Sequence, residues 1–128
     1  MNLLLDTHAY LWFIAGDERL SAVAREAIEN PSYLKIISVA SLWEITIKNS
    51  LGKLTLKTDL CNILSEHIAS NGFELLPIET GHLMELSRIP MHHRDPFDRL
   101  LVAQCKADEL TFCSADRAFA AYNIQLIW

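Results

Sequence analysis

The sequence predicts an α/β fold with a mainly parallel central sheet flanked by helices on both faces. Three observations predict it. Short apolar runs alternate with longer segments of helical periodicity, the order that produces strand–helix–strand crossovers. The first two strand-like cores, "LLL" and "LKII", read as strands buried on both sides, as parallel strands are. The four glycines and four prolines are scattered as punctuation, and there is no low-complexity segment, charge block or internal repeat, so residues 1–128 read as one domain.

Each element has a local reason. "NLLLD" is a short buried strand, and "THAYLWFIA" a helix closed near Gly16. "SAVAREAIEN" is a helix with Ser21 as its N-cap and Asn30-Pro31 as its stop. "YLKIIS" is strand-like. "VASLWEITIKNSLGKL" is a helix ending near Gly52, and "DLCNILSEHIASNG" another, closed by Asn71-Gly72. "FELLPI" is a strand, "TGHLMELSRI" a helix ended by Pro90, and "PFDRLLVAQCKAD" a helix. "LTFCS" is a strand, "ADRAFAAY" a short helix, and "IQLIW" the final strand.

Composition narrows the function. Hydrophobic residues make up 51%, enough for a real core. A formal net charge of −5 argues against nucleic-acid binding by bulk electrostatics, but not against a nuclease whose metal site needs carboxylates. No apolar run is long enough for a transmembrane helix, and "MNLLLDTHAYLWF" lacks a basic leader, so a signal peptide is not expected. The cysteines Cys61, Cys105 and Cys113 form no C-x-x-C pair and read as reduced thiols, which places the expectation in the cytoplasm.

In open parallel sheets, sites form beyond the carboxyl ends of the strands. Four acids fall where such a site would be. Asp6 ends the first strand, and by itself reads equally as a helix cap. Glu44 lies mid-helix with Ala40, Ile47 and Leu51 on its face, so it needs either a metal or a partner, and Lys48 at i+4 is the ordinary partner. Asp95 is a good N-cap, Pro96 suits the first helical position, and Asp98 falls at N3, where negative charge favours the helix dipole. Asp116 follows a strand and, with Ser114, is placed to cap a short helix. Singly, each has a structural explanation. Jointly, they converge at one sheet edge if the sheet is parallel, and converging carboxylates repel unless a divalent cation joins them.

The stretches "LLLDTHAYLW", "SLWEI", "HRDPFDRLLVAQ" and "SADRAFAAY" resemble the acidic motifs of PIN domains, and specifically the VapC-type ribonuclease toxins of toxin–antitoxin systems. The resemblance runs nearly end to end, and "HRDPFDRLLVAQ" is its most specific part. It implies a PIN-like fold and a metal-dependent endoribonuclease with an acidic quartet, which maps onto Asp6, Glu44, Asp98 and Asp116. Asp6, Glu44 and Asp98 would hold Mg²⁺ or Mn²⁺, and Asp116 would complete or tune the site. It also implies products with a 5′-phosphate and a 3′-hydroxyl, a homodimer and a cognate antitoxin protein.

Other residues are assigned around that centre. Thr7, Asp95 and Ser114 are candidates to orient a carboxylate or a water. Arg94 and Arg99 bracket the proposed ligands and are the best candidates for RNA phosphate contacts, ahead of Arg117, Lys48, Lys53, His92 and His93. Tyr10 and Trp12 favour the core over base stacking. The alternative is a catalytically inactive PIN-fold domain that binds RNA or protein. A phosphorylated receiver domain would need an acidic pair in the first loop, and a haloacid-dehalogenase-type phosphatase an Asp where His8 stands; both are absent.

Overall fold

The computed structural model describes residues 1–128. Five strands, β1 (Asn2–Leu5), β2 (Leu34–Ser38), β3 (Phe73–Leu76), β4 (Thr111–Cys113) and β5 (Leu126–Ile127), form one sheet in the order β3-β2-β1-β4-β5. Every neighbouring pair is parallel, as expected. The chain starts at the centre, winds outward through β2 to β3, then crosses to the other side of β1 for β4 and β5. The reversal lies between β1 and β4, where Leu5 is in register with Cys113. At such a switch point the connections leave in opposite directions and open a crevice. The next residues along, Asp6 and Ser114, stand at its rim.

The side chains of the two central strands alternate between two cores. Leu3, Leu5, Ile37 and Cys113 face one side with residues of α1 (Thr7–Ala15), α2 (Ala22–Glu29) and α3 (Val39–Ser50). Leu4, Ile36 and Phe112 face the other with Leu101, Val102 and Cys105 of α7 (Pro96–Asp108). Sheet residues Leu3, Leu4 and Leu5 are all 0% exposed, which is what an uninterrupted apolar run means in a sheet covered on both faces.

Helix ends follow the local chemistry. Ser21 Oγ accepts the Ala24 N–H at 3.0 Å at the start of α2. Gly16 ends α1 in the left-handed conformation (φ 64°), and the Asp17 N–H reaches back to the Trp12 carbonyl at 2.9 Å. Helix α3 ends at Ser50, near Gly52 as expected, because Gly52 takes φ 68° and the Lys53 N–H closes on the Lys48 carbonyl at 2.9 Å. The helix expected over 59–72 is α4 (Leu60–Asn62), a π turn (Ile63–His67) and α5 (Ile68–Ser70) in succession. Helix α6 (Thr80–Leu86) precedes α7. The final short helix is a 3₁₀ turn (Arg117–Tyr122), ended by Asn123 at φ 58°. A six-residue segment offers few i→i−4 bonds, so the tighter turn competes well there. No helix is long and apolar enough to cross a membrane.

Candidate functional site

Asp6 is fixed by the end of β1. Its N–H bonds the Cys113 carbonyl at 3.0 Å, and its Oδ1 accepts the Ala9 N–H at 2.7 Å as the N-cap of α1. Burial raises its carboxyl above the usual range, followed by smaller opposing effects from the Ser114 hydroxyl, the Ala9 N–H and His8; the Glu44 charge raises it further.

Glu44 is 5% exposed on α3. Its Oε1 accepts the Thr7 hydroxyl at 2.6 Å, and its Oε2 pairs with Lys48 Nζ at 2.7 Å. The i+4 partner suggested by the spacing is therefore present, and Thr7 adds a second donor from another helix. The Glu44 hydrogen bond comes first in holding Lys48 above its ordinary pKa, against partial desolvation, and the charges of Glu44, Asp95 and Asp98 add to it.

Asp98 is different. Asp95 caps α7 by accepting the Asp98 N–H at 2.9 Å, and Pro96 takes the first helical position, as the sequence indicated. The Asp98 carboxylate itself makes neither a hydrogen bond nor an ion pair, although it is half-buried. Burial pushes its pKa up to about 6, and the charges of Asp95, Glu44 and Asp6 contribute while His93 opposes them. Asp6, Glu44, Asp95 and Asp98 thus share one electrostatic field.

Asp116 stands apart. Its Oδ1 caps the 3₁₀ turn by accepting the Ala118 N–H at 2.9 Å, and its Oδ2 lies 2.9 Å from His93 Nε2. Burial tends to raise its pKa, but the His93 hydrogen bond, the Ala118 N–H and the His93 charge prevail and hold it below the ordinary value. Its charge is not among those that shift Asp6 or Asp98. Ser114 is buried, and its Oγ accepts the Asp116 N–H at 3.1 Å.

The expected quartet is thus a coupled group of Asp6, Glu44 and Asp98, with Asp116 turned to a histidine. As the side chains stand, no three His, Cys, Asp or Glu groups are close enough together to hold a metal ion. The donor set still suits a hard divalent cation. It consists of carboxylate oxygens, Asp6 and Asp98 have no cationic partner, and burial first, then neighbouring acids, raises both pKa values. Asp6, Glu44 and Asp98 are the residues that would hold Mg²⁺ or Mn²⁺, with Asp116 connected to them only through His93.

The cations divide in the same way. Arg94 is exposed and makes no side-chain hydrogen bond or ion pair, so it is available to a phosphate. Arg99 is already engaged: its Nη1 donates to the Pro90 carbonyl at 3.0 Å and ties the loop before α7 to the helix. Tyr10 is 0% exposed and packs edge-on to Phe73, so it is core, while Trp12 packs against Trp128 with rings 5.8 Å apart. Trp43 is exposed and meets Phe97 edge-on at 5.2 Å beside Glu44 and Asp98. The residue underweighted by the sequence is His93. Its only signal there was its place two positions before an acidic cap, and its partners lie more than twenty residues away.

A family model described as the PIN domain matches residues 3–124. The chain belongs to the PIN domain family. Solved structures share its fold at low identity. VapBC2 from Rickettsia felis, bound to a DNA fragment from its promoter, is 15% identical with a TM-score of 0.73, covering 98% of this chain and 97% of that one. VapBC-1 from nontypeable Haemophilus influenzae is 12% identical with a TM-score of 0.67, covering 98% and 96%. VapC20 from Mycobacterium tuberculosis, a toxin that cleaves the sarcin–ricin loop, is 19% identical with a TM-score of 0.62, covering 95% of each chain. No curated protein sequence matches.

Proposed function

We propose that this PIN domain is a Mg²⁺- or Mn²⁺-dependent endoribonuclease and the toxin of a type II toxin–antitoxin pair. The observation that carries the reading is Asp98: a half-buried carboxylate without any partner, raised to about 6 beside other acids, in a protein that pairs Glu44 fully. Such a group is costly unless a cation is its partner. Two structural neighbours, a toxin–antitoxin complex and a toxin that cleaves the sarcin–ricin loop, support the same reading.

Asp6 and Asp98 offer carboxylate oxygens, and Glu44 offers the lone pairs that Thr7 and Lys48 leave free. A bound divalent cation would lower the pKa of a water and offset charge on the phosphate. The chain's own residues then do the positioning. Thr7 and Lys48 hold Glu44 in one orientation, Asp95 fixes the first turn of α7, and Arg94 is free to meet an RNA phosphate. The exposed Trp43 offers a face on which a base of single-stranded RNA can stack.

The partner reading has its own surface. A cleft of about 280 Å³ lies between α1 and residues 54–58, its apolar floor of Leu11, Trp12, Ile14, Leu54, Leu56 and Ile63 rimmed by His8, Asp17, Arg19 and Lys57, and it suits an amphipathic segment of an antitoxin. A homodimer in the cytoplasm completes the proposal. The second reading, an inactive binding domain, is favoured by one observation: Lys48 already neutralises Glu44.

RNA cleavage in EDTA, Mg²⁺ and Mn²⁺, after removal of any co-purified partner, separates the readings. Divalent-dependent cleavage by wild type that Asp98→Asn abolishes supports the nuclease. Absence of cleavage with retained RNA binding supports the binding domain.

A further inference from the structure

His93 is held on three sides. Its ring stacks on Phe119 with centroids 4.3 Å apart and planes 9° from parallel. Nδ1 lies 2.9 Å from the Tyr122 hydroxyl, and Nε2 lies 2.9 Å from Asp116 Oδ2. An ionised carboxylate only accepts, so Nε2 carries the proton toward Asp116, and in the neutral ring Nδ1 accepts from Tyr122. Phe119 and Tyr122 are 2% and 1% exposed, so the platform under the ring is rigid core.

Asp116 depends on that ring. One carboxylate oxygen is committed to the Ala118 N–H, and the other has His93 as its only side-chain partner. His93 also lies two residues before the α7 cap Asp95, and its charge is felt at Asp98. It is the one side chain with a link to Asp116 on one side and to Asp98 on the other.

We propose that His93 is a positioning residue of the acidic site: its Nε2–H sets the orientation of the Asp116 carboxylate, while Phe119 and Tyr122 set the orientation of His93. This rests on the proposed metal site and assigns His93 a role distinct from the RNA-phosphate contact considered in the sequence. A group that orients a metal-site carboxylate characteristically contributes about 10–100-fold to affinity.

The test is Mn²⁺ binding by calorimetry on the whole protein, with Asp98→Asn as the control for the site itself. His93→Leu and Asp116→Ala should each weaken Mn²⁺ binding about 10-fold, and the double variant should be no weaker than the weaker-binding single variant, because without the Asp116 carboxylate His93 has nothing to orient. His93→Gln should recover most of the loss, since its amide nitrogen can stand where Nε2 does. His93→Asn, which reaches only toward Tyr122, should not. Losses that multiply in the double variant, or Gln no better than Asn, would overturn the proposal. If His93→Leu does not fold, the Gln and Asn pair decides. If Asp98→Asn binds Mn²⁺ as wild type does, it is the site reading that fails, and the proposal fails with it.

Discussion

Glu44 on α3 and Asp98 on α7 are two carboxylates at one sheet edge with opposite environments. Glu44 is the more buried, yet both its oxygens are satisfied, by Thr7 at 2.6 Å and Lys48 at 2.7 Å. Asp98 is less buried and has no partner, and its pKa is pushed up to about 6, by burial and then by neighbouring acids. The difference teaches that depth alone does not mark a functional acid. A buried charge that is fully paired is stable without a ligand and also holds two helices together, whereas a shallower one left unpaired has oxygens that only something outside the chain can satisfy.

The largest expected effect is on activity. Asp98→Asn should lower divalent-dependent RNA cleavage by more than about 100-fold, above the range of groups that only orient a ligand. An initial-rate assay with Mn²⁺ checks it, and a loss under about 3-fold would remove Asp98 from the metal-holding set.

The next largest is on stability. Lys48→Met leaves Glu44 buried with Thr7 alone. Removing one partner of a buried pair costs about 3–5 kcal/mol, and because the Lys48 side chain is 39% exposed the expected loss is about 1–3 kcal/mol, read from urea unfolding. A loss near zero would mean that the pair is only a surface contact.

The pH dependence should run oppositely for Asp98. Its folded-state pKa of about 6 lies above the ordinary 3.8, so the folded protein holds the extra proton between about pH 4 and pH 6. Stability contributed by that proton is present below pH 4 and lost as the pH rises through 6. In metal-free buffer Asp98→Asn should therefore be more stable than wild type above pH 6, by about 1–2 kcal/mol after allowance for solvent screening, with the difference vanishing near pH 4. Melting curves across that range decide it.

The smallest effect is that of the cap. Asp95→Ala should cost about 1 kcal/mol through the lost bond to the Asp98 N–H, visible as a lowered melting temperature.

The elements were legible in the sequence because their causes are local. Apolar runs such as Leu3–Leu5, caps such as Ser21 and Asp95, and Gly16 in the left-handed region act within a few residues. The π turn at Ile63–His67 and the 3₁₀ turn at Arg117–Tyr122 were not, since both choose among helical hydrogen-bond patterns that composition barely separates. At the site, Lys48 was visible as the i+4 partner of Glu44, and Thr7 as a helper beside Asp6. That Thr7 serves Glu44, and that His93 takes Asp116, are contacts between distant segments which only the parallel sheet order brings together. Arg99 brackets an acid, as the sequence shows; that its Nη1 also donates to the Pro90 carbonyl at the loop entry is a contact the sequence does not signal.

The most direct measurement is a Mn²⁺ titration at pH 7, followed by calorimetry, of metal-free wild type and Asp98→Asn. The unpaired Asp98 predicts saturable binding in wild type that is lost in the variant. Equal binding in both proteins, or binding in neither, would contradict it.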